Sequence, residues 1–314
     1  MKDGLISIVV PMYYEEAVAE ACYERITGIA GSCGYEYELI FVNDGSKDKT
    51  QEILEAIAGR DSHVKVLSFS RNFGHQTAVS AGIDKSKGDA VIIIDADLQD
   101  PPEMIPEMLR LWEQDNDVVY ARRSRRKGES WFKLATAKTF YRLLRRLTDI
   151  DIPVDTGDFR LMDRKVVEAI RRMPERNRFL RGMVSWVGFK QVPVEYRREE
   201  RYAGETKYPL RKMLKLATDG IISFSFKPIK LPLYLGSASI LISLVMVLAA
   251  ILLFAFKGMP SSNLFYITAL IVFFGGVQLV SIGILGQYII RIYDESRKRP
   301  LYIIEKEINT DEND

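Results

Sequence analysis

Short apolar runs rich in β-branched residues alternate with segments of helical period along the first 120 residues. Leu5–Val10, Glu38–Val42, Val64–Phe69, Ala90–Ile94 and Asp117–Tyr120 predict strands, and Ala17–Ile29, Lys49–Ala58, Gln76–Lys85 and Glu103–Gln114 predict helices. Alternation of this kind builds βαβ units, so the fold class is α/β with a mostly parallel sheet. Such sheets bind ligands outside the carboxyl ends of their strands. The segments that follow the predicted strands are polar: Pro11-Met12-Tyr13-Tyr14-Glu15-Glu16, Asn43-Asp44-Gly45-Ser46, Ser70-Arg71-Asn72-Phe73-Gly74 and Asp95-Ala96-Asp97-Leu98-Gln99-Asp100.

The pattern changes after Lys230. Leu231–Phe256 carries no charge; Lys257 and a turn with Gly258, Pro260, Ser261, Ser262 and Asn263 lead to a second uncharged stretch, about Leu264–Ile290. Each supplies the roughly 20 residues that a bilayer core requires. Two spans joined by so short a turn predict a hairpin with both outer ends on one side. Lys227, Lys230, Arg291, Arg297, Lys298 and Arg299 flank those ends, while only Lys257 marks the turn. The positive-inside bias then predicts a multi-pass plasma-membrane protein with its body and both termini in the cytoplasm. The alternative is a pair of core helices in a soluble protein. Gly275, Gly276, Gly283 and Gly286 would permit close packing of the second span in a homo-oligomer. The predicted organisation is a cytosolic body over 1–205, juxtamembrane interfacial helices over 206–229, spans within 230–290 and a charged cytosolic tail over 291–314.

A hydrophobic content of 47% with 27% charged residues excludes a disordered or collagen-like chain. Forty-four basic against 42 acidic residues leave a net charge of +2, which removes any global electrostatic case for nucleic acid. Locally, ten Lys or Arg and a single acid, Glu129, lie between Arg122 and Arg146. Trp131, Phe132, Phe140 and Tyr141 interleave there with Lys133, Lys138, Arg142 and Arg145, the pattern of an amphipathic helix on an anionic membrane or, more plainly, of a solvated basic face. Arg122, Arg123, Arg125 and Arg126 precede it at a strand end, where guanidinium groups suit a lipid phosphate. Cys22 and Cys33 belong to no CxxC or Cys/His cluster and read as reduced thiols. Leu5–Val10 is too short for a signal-peptide core. No GxGxxG follows a strand and no GxxxxGK[ST] occurs, which argues against dinucleotide oxidoreductases and P-loop NTPases.

Asp95, Asp97, Gln99 and Asp100 crowd hard oxygen donors onto a turn leaving a buried strand. Their repulsion calls for a cation, and such donors suit Mg²⁺ or Mn²⁺ shared with a diphosphate; the plainer reading is a solvated acidic turn. Asp44 could accept from a nucleobase or ribose, or serve the turn alone, and Asp48 reads as a cap for the next helix. In Asp155-Thr156-Gly157-Asp158-Phe159-Arg160, Asp158 is the candidate base or electrostatic partner and Asp155 a helper or cap. Arg201 and Lys207 flank a glycine loop able to close over a diphosphate, and the same loop reads equally as a juxtamembrane basic patch.

Taken in order, Pro11-Met12-Tyr13, Val42-Asn43-Asp44-Gly45-Ser46, Arg71-Asn72-Phe73-Gly74, Asp95-Ala96-Asp97-Leu98-Gln99-Asp100-Pro101-Pro102-Glu103, Asp155–Arg160, Arg201–Lys207 and two spans resemble the family 2 glycosyltransferases. Within these the likeness is to the polyprenyl-phosphate glycosyltransferases. The resemblance implies a GT-A fold (a Rossmann-like sheet domain), a nucleoside-diphosphate sugar donor, a divalent metal and inverting transfer to a lipid phosphate. By position it implies nucleotide binding at Pro11, Tyr13, Glu15, Asp44, Asp95 and Ala96. It implies metal and diphosphate binding at Asp95, Asp97 and Gln99, with Asp97 and Asp158 in the catalytic roles. Arg122, with Arg126 and Lys133 beyond it, would meet the acceptor phosphate, and Arg201 and Lys207 the diphosphate. Tyr14 departs from the family, which commonly has Asn there.

The expected reaction is transfer of glucose or N-acetylglucosamine from its UDP derivative to undecaprenyl phosphate at the cytoplasmic face. The rivals are a GDP-mannose-dependent polyprenyl- or dolichol-phosphate mannosyltransferase and an inactive membrane-anchored binding protein. A processive polysaccharide synthase is disfavoured by the lack of a QxxRW-like motif, and a transporter by spans without interior charge.

Overall fold

A computed structural model describes residues 4–123, 153, 156–176, 178–196 and 263–310, together with residues 230, 232, 234–239, 241, 242, 245, 248 and 252. The chain divides into two compact units. One comprises Met1–Arg142, Ile150–Leu216 and Arg299–Asp314, and the other Leu143–Asp149 and Ala217–Lys298.

The first unit is built on one eight-stranded sheet. Its strands are β1 (Leu5–Met12), β2 (Glu36–Asn43), β3 (Val64–Phe69), β4 (Ala90–Ile93), β5 (Val118–Arg123), β6 (Thr156–Asp163), β7 (Gln191–Tyr196) and β8 (Ile304–Ile308), in the order β7-β5-β6-β4-β1-β2-β3-β8. β4, β1, β2 and β3 form a parallel block. β6 enters antiparallel between β4 and β5, and β8 closes the far edge antiparallel to β3. The mostly parallel α/β expectation holds.

The helices are α1 (Ala19–Ala30), α2 (Thr50–Arg60), α3 (His75–Lys85), α4 (Ile105–Glu113), α5 (Arg164–Arg171) and α6 (Leu180–Trp186). β1 is buried along both faces, as a central parallel strand must be. Ile6, Ile8, Val10 and Met12 join Ile26, Leu54, Met108 and Trp112 in one core beneath α1, α2 and α4. Each such side chain contributes roughly 1.5–3 kcal/mol by leaving water. On the other face α3 lies close over β1: a Cβ on Gly82 would stand 2.2 Å from Val9 Cγ1.

The amino end of the sheet carries a buried acid of structural use. Glu38 Oε1 accepts from Ser7 Oγ at 2.5 Å and from the Lys87 N–H at 2.6 Å, and Oε2 pairs with Lys65 Nζ at 2.6 Å. Burial alone would raise its pKa, but the Lys65, Lys87 and Ser7 donors outweigh that and hold it below the ordinary glutamate value.

The second unit contains the long helix Asn263–Ser296 and helical backbone at the described residues between 230 and 252. Among the described residues one helix is long and apolar enough to cross a membrane, over Phe273–Ser296, with a mean hydropathy of 1.6 and none of it buried. The two-span hairpin is thereby reduced to one described spanning helix, because most of 231–256 lies outside the described residues. So do the basic segment 124–152, the interfacial helices expected over 206–229 and, with them, Arg126, Lys133, Asp155, Arg201 and Lys207. The tail expected to be merely charged supplies β8.

Because the folded pKa of Glu38 is depressed, its stabilisation is complete above the unfolded value near ~4.3 and fades as pH falls through the folded value. Glu38→Gln should therefore cost about 1–3 kcal/mol at pH 7, through a weakened partner for Lys65, and flatten the acid limb of stability. Urea unfolding of the solubilised protein at pH 7 and pH 4 measures this; parallel loss in mutant and parent would refute it.

Candidate active site

Two facts of topology assemble the site. The parallel block brings the carboxyl ends of β1 to β4 to one edge, and the reversed β6 brings its amino end to the same edge. The β4–β6 register pairs Ile93 with Arg160. Continued by two residues, it sets Asp95 opposite Asp158.

His75, the first residue of α3, sits between these two acids. Its Nε2 lies 3.3 Å from Asp158 Oδ2 and 3.5 Å from Asp95 Oδ1. Gln76 Nε2 donates to Asp158 Oδ2 at 3.1 Å, and Arg181 Nε on α6 donates to Asp158 Oδ1 at 2.9 Å. Gln76 Oε1 in turn accepts from the Leu180 N–H at 3.1 Å, which ties α3 to α6. The buried Arg160 turns back on the same turn, donating to the Asp158 and Gly157 carbonyls.

These neighbours divide the two acids. Burial would raise the Asp158 pKa, but Arg181 and then His75 override it and hold the carboxyl well below the usual range. Burial pushes Asp95 up to about 6, with Asp158, Asp100 and Asp97 adding repulsion that His75 only partly offsets. His75 is itself lifted to about 9, because Asp95 and Asp158 outweigh its own burial. Burial lowers Arg160 to about 10, so it stays charged at neutral pH. Asp158 is thus an acid whose charge the protein already balances, whereas Asp95 is not. Asp95 Oδ1 is shut off from solvent and finds no hydrogen-bond donor among the described residues.

Asp97 and Gln99 follow on the same turn, where the Gln99 N–H donates to Asp97 Oδ1 at 3.1 Å. Ala96 is buried beneath them. Leu98, buried as well, holds a left-handed φ of +55°, a strain of about 1–2 kcal/mol for a side chain of this type. The next acid, Asp100, accepts from Tyr196 Oη and lies 3.9 Å from Arg123. Among the described residues no three of His, Cys, Asp and Glu are gathered closely enough to close a metal shell unaided. One or two carboxylates with a buried oxygen lacking a donor are what a Mg²⁺- or Mn²⁺-type ion needs when substrate phosphates complete its shell, so the residues fit such an ion.

The other expected residues distribute unevenly. Pro11, next to last in β1, is buried; Tyr13 and Tyr14 stand exposed beyond the strand, ring centroids 4.6 Å apart, with Tyr14 at φ +55°. This loop is fastened to the one after β2: the Tyr14 N–H donates to Ser46 Oγ and the Glu15 N–H to Thr50 Oγ1, each at 3.0 Å. Asp44 is buried and its carboxylate is already engaged. Oδ1 accepts from the Phe73 N–H at 2.6 Å, and Oδ2 from Asn72 Nδ2 at 2.8 Å and the Gly74 N–H at 2.9 Å. It clamps the loop after β3 to the end of β2. Gly45 permits that approach, for at φ +68° a Cβ would lie 2.4 Å from the Arg71 carbonyl carbon.

Arg122 is not brought to the acids. It pairs with Glu195 at 2.7 Å on the neighbouring strand β7. A register shift between Tyr120 and Arg122 leaves Arg123 as the arginine that faces Asp100 and Gly157. Sequence reading missed His75, Gln76 and Arg181, and named Arg123 only as one of four strand-end arginines suited to a lipid phosphate. The available signal was slight: His75 is one of only two histidines, directly after a strand-end loop.

Residues 7–171 match the family described as Glycosyl transferase family 2. The chain is 54% identical to the uncharacterized glycosyltransferase YkcC of Bacillus subtilis, over 96% of this chain and 93% of that protein. It is 44% identical to a prophage bactoprenol glucosyl transferase homolog of Escherichia coli, over 96% and 98% of the two. A crystal structure of glucosyl-3-phosphoglycerate synthase from Mycobacterium tuberculosis is similar over 70% of this chain and 76% of that one, at 20% identity and a TM-score of 0.48. The aspartate turn after β4, the acid opposite it on β6 and a match over more than half the chain make this protein a member of glycosyl transferase family 2.

Proposed function

We propose that the protein transfers glucose or N-acetylglucosamine from a UDP-sugar to undecaprenyl phosphate, with inversion, at the cytoplasmic face of the plasma membrane. The observation that carries this is the unequal pair at the sheet edge: Asp158 is neutralised by Arg181 and His75, whereas Asp95 shares that histidine at 3.5 Å and its buried Oδ1 accepts no hydrogen bond among the described residues. Relatives named for bactoprenol glucosyl transfer, at 44% identity over almost the whole chain, support the lipid acceptor.

Asp95 and Asp97, with Gln99 beside them, would hold a divalent cation, Mg²⁺ or Mn²⁺. When bound, such an ion neutralises charge that develops on the departing diphosphate. Asp158 orients rather than deprotonates. Its oxygens already accept from Arg181 and Gln76 and face His75, and a phosphate monoester, with a second pKa of about 6, needs little help to ionise. Holding Arg181 and His75 in place, Asp158 sets positive charge beside two anionic substrates. Pro11, Tyr13, Glu15, Asp44 and Ala96 line the nucleotide side, Asp44 acting through the Asn72–Gly74 loop that it clamps. Arg122, Arg126 and Lys133 are assigned to the acceptor phosphate, and Arg201 and Lys207 to the diphosphate. The spans 231–256 and 264–290 form the hairpin that keeps this body at the membrane, with glycines of the second span available to a homo-oligomer.

Full-length protein should convert UDP-glucose or UDP-N-acetylglucosamine and undecaprenyl phosphate to a lipid-linked sugar, and EDTA should abolish the reaction until Mg²⁺ or Mn²⁺ is restored. Product from GDP-mannose alone, or product indifferent to EDTA, would reject the donor or the metal assignment respectively. Asp97→Ala and Asp158→Asn should each lower kcat by on the order of 10²–10³, the scale for losing one preorganised electrostatic group. Asp158→Asn at near-parental kcat would remove the orienting role.

Topology has its own check. With Ser262→Cys in intact cells, a membrane-impermeant maleimide should label the turn from outside, while Cys22 and Cys33 react only after lysis and denaturation. Labelling of Ser262→Cys only after lysis would overturn the hairpin.

A further inference from the structure

The segment after the long helix is built into the catalytic unit more tightly than an edge strand requires. β8 pairs with β3 from Val66–Ile308 through Ser68–Lys306, then slips so that Phe69 faces Ile304. That slip lets the Ile303 carbonyl accept from the Ser70 N–H at 3.1 Å, one residue past the end of β3. The half-buried Tyr302 then stacks on Phe69, centroids 5.2 Å apart and planes 13° apart, while its Oη bonds Asp84 Oδ2 at 3.2 Å. Phe69 in turn meets Phe73 edge-on at 5.6 Å, and the Phe73 N–H is the shortest of the donors to Asp44. Asp84 also lies 3.8 Å from Arg178, two residues before α6. The far end is pinned independently, by Lys306–Glu55 at 2.8 Å and by Asn309 Nδ2 donating to the Ala58 and Val64 carbonyls.

We propose that Tyr302 is a positioning residue for nucleotide-sugar binding. Through Phe69 and Phe73 it holds the Ser70–Gly74 loop, which Asp44 clamps from the other side, so the donor site includes a contribution from chain beyond the spanning helix. The loop-holding half stands on the contacts alone; the donor half rests on the proposed function. Tyr302 touches neither substrate in this scheme and acts only through the loop.

Hydrogen exchange and kinetics on the full-length protein in nanodiscs separate the two halves. Tyr302→Ala should speed exchange of amides 70–74 roughly three- to tenfold, as a local opening does when it loses one aromatic pair, with β1 amides unchanged. Tyr302→Phe keeps the stack and should exchange like the parent. Lys306→Ala loosens the other end of β8 and should lower the melting temperature without speeding the loop. In steady state, Tyr302→Ala should raise the donor KM severalfold and leave the acceptor KM unmoved. Parental exchange at 70–74, or a uniform rise across the sheet, defeats the proposal; should Tyr302→Ala fail to fold, Tyr302→Leu carries the same test. A loop that loosens without any donor-KM change keeps the mechanical link and defeats the positioning role, whereas absence of all transfer in the parent counts against the proposed function and leaves the exchange result standing.

Discussion

Everything at the working edge of this protein follows from keeping several carboxylates charged where water is scarce. A half-buried acid beside other acids tends to take up a proton, and the fold answers differently at each position. Asp158 is surrounded by Arg181, His75 and Gln76, and its charge is secure. Asp100 has Tyr196 and Arg123. Asp44 is satisfied almost wholly by backbone N–H groups of the next loop. Asp95 is left with a histidine it must share, and its pKa rises accordingly. Asp95 combines a pKa pushed up to about 6 with a buried oxygen that accepts no hydrogen bond among the described residues, which marks where an added positive charge is most stabilising, and that is more specific than a count of acids on a turn.

The parallel block could be read in the sequence because its strands are fully buried and so reduce to apolar runs of the right length. β3 matches its predicted range residue for residue; the prediction for β1 stops before Pro11 and Met12, and that for β2 omits Glu36 and Tyr37 at one end and Asn43 at the other. β6 escaped notice because Thr-Gly-Asp-Phe-Arg-Leu-Met-Asp is buried yet half polar, its Asp158 and Arg160 satisfied by partners from α3, α6 and the strand's own backbone. Without β6 in register, the pairing of Asp95 with Asp158 could not be seen, although both acids were. One register shift between β5 and β6 decides which of two adjacent arginines faces the acids: Arg123 lies near Asp100, while Arg122 pairs with Glu195. β8 reads as Ile-Glu-Lys-Glu-Ile, apolar at its ends and charged between, which is how an edge strand avoids pairing with a stranger.

The loops at the site are stiff, and their stiffness has identifiable causes. Tyr14 and Leu98 both hold left-handed backbone that costs a non-glycine residue energy, and both occur in the turns that carry the candidate ligand groups. Ser46 and Thr50 hold the first, while burial of the Leu98 side chain offsets the second. Asp44 closes the series by joining the second loop to the third. Three consecutive strand-end loops are thereby cross-braced before any ligand arrives, which reduces the ordering entropy that binding must overcome.

Bracing of this kind also explains why the edge beyond β3 matters. A loop following an outer strand of a parallel block has a neighbour on one side only, so Asp44 alone would leave the Ser70–Gly74 segment hinged. β8 supplies the missing side with a strand, an aromatic stack and a carbonyl aimed at Ser70. The strand lies only a few residues after the helix that is apolar enough to span a bilayer.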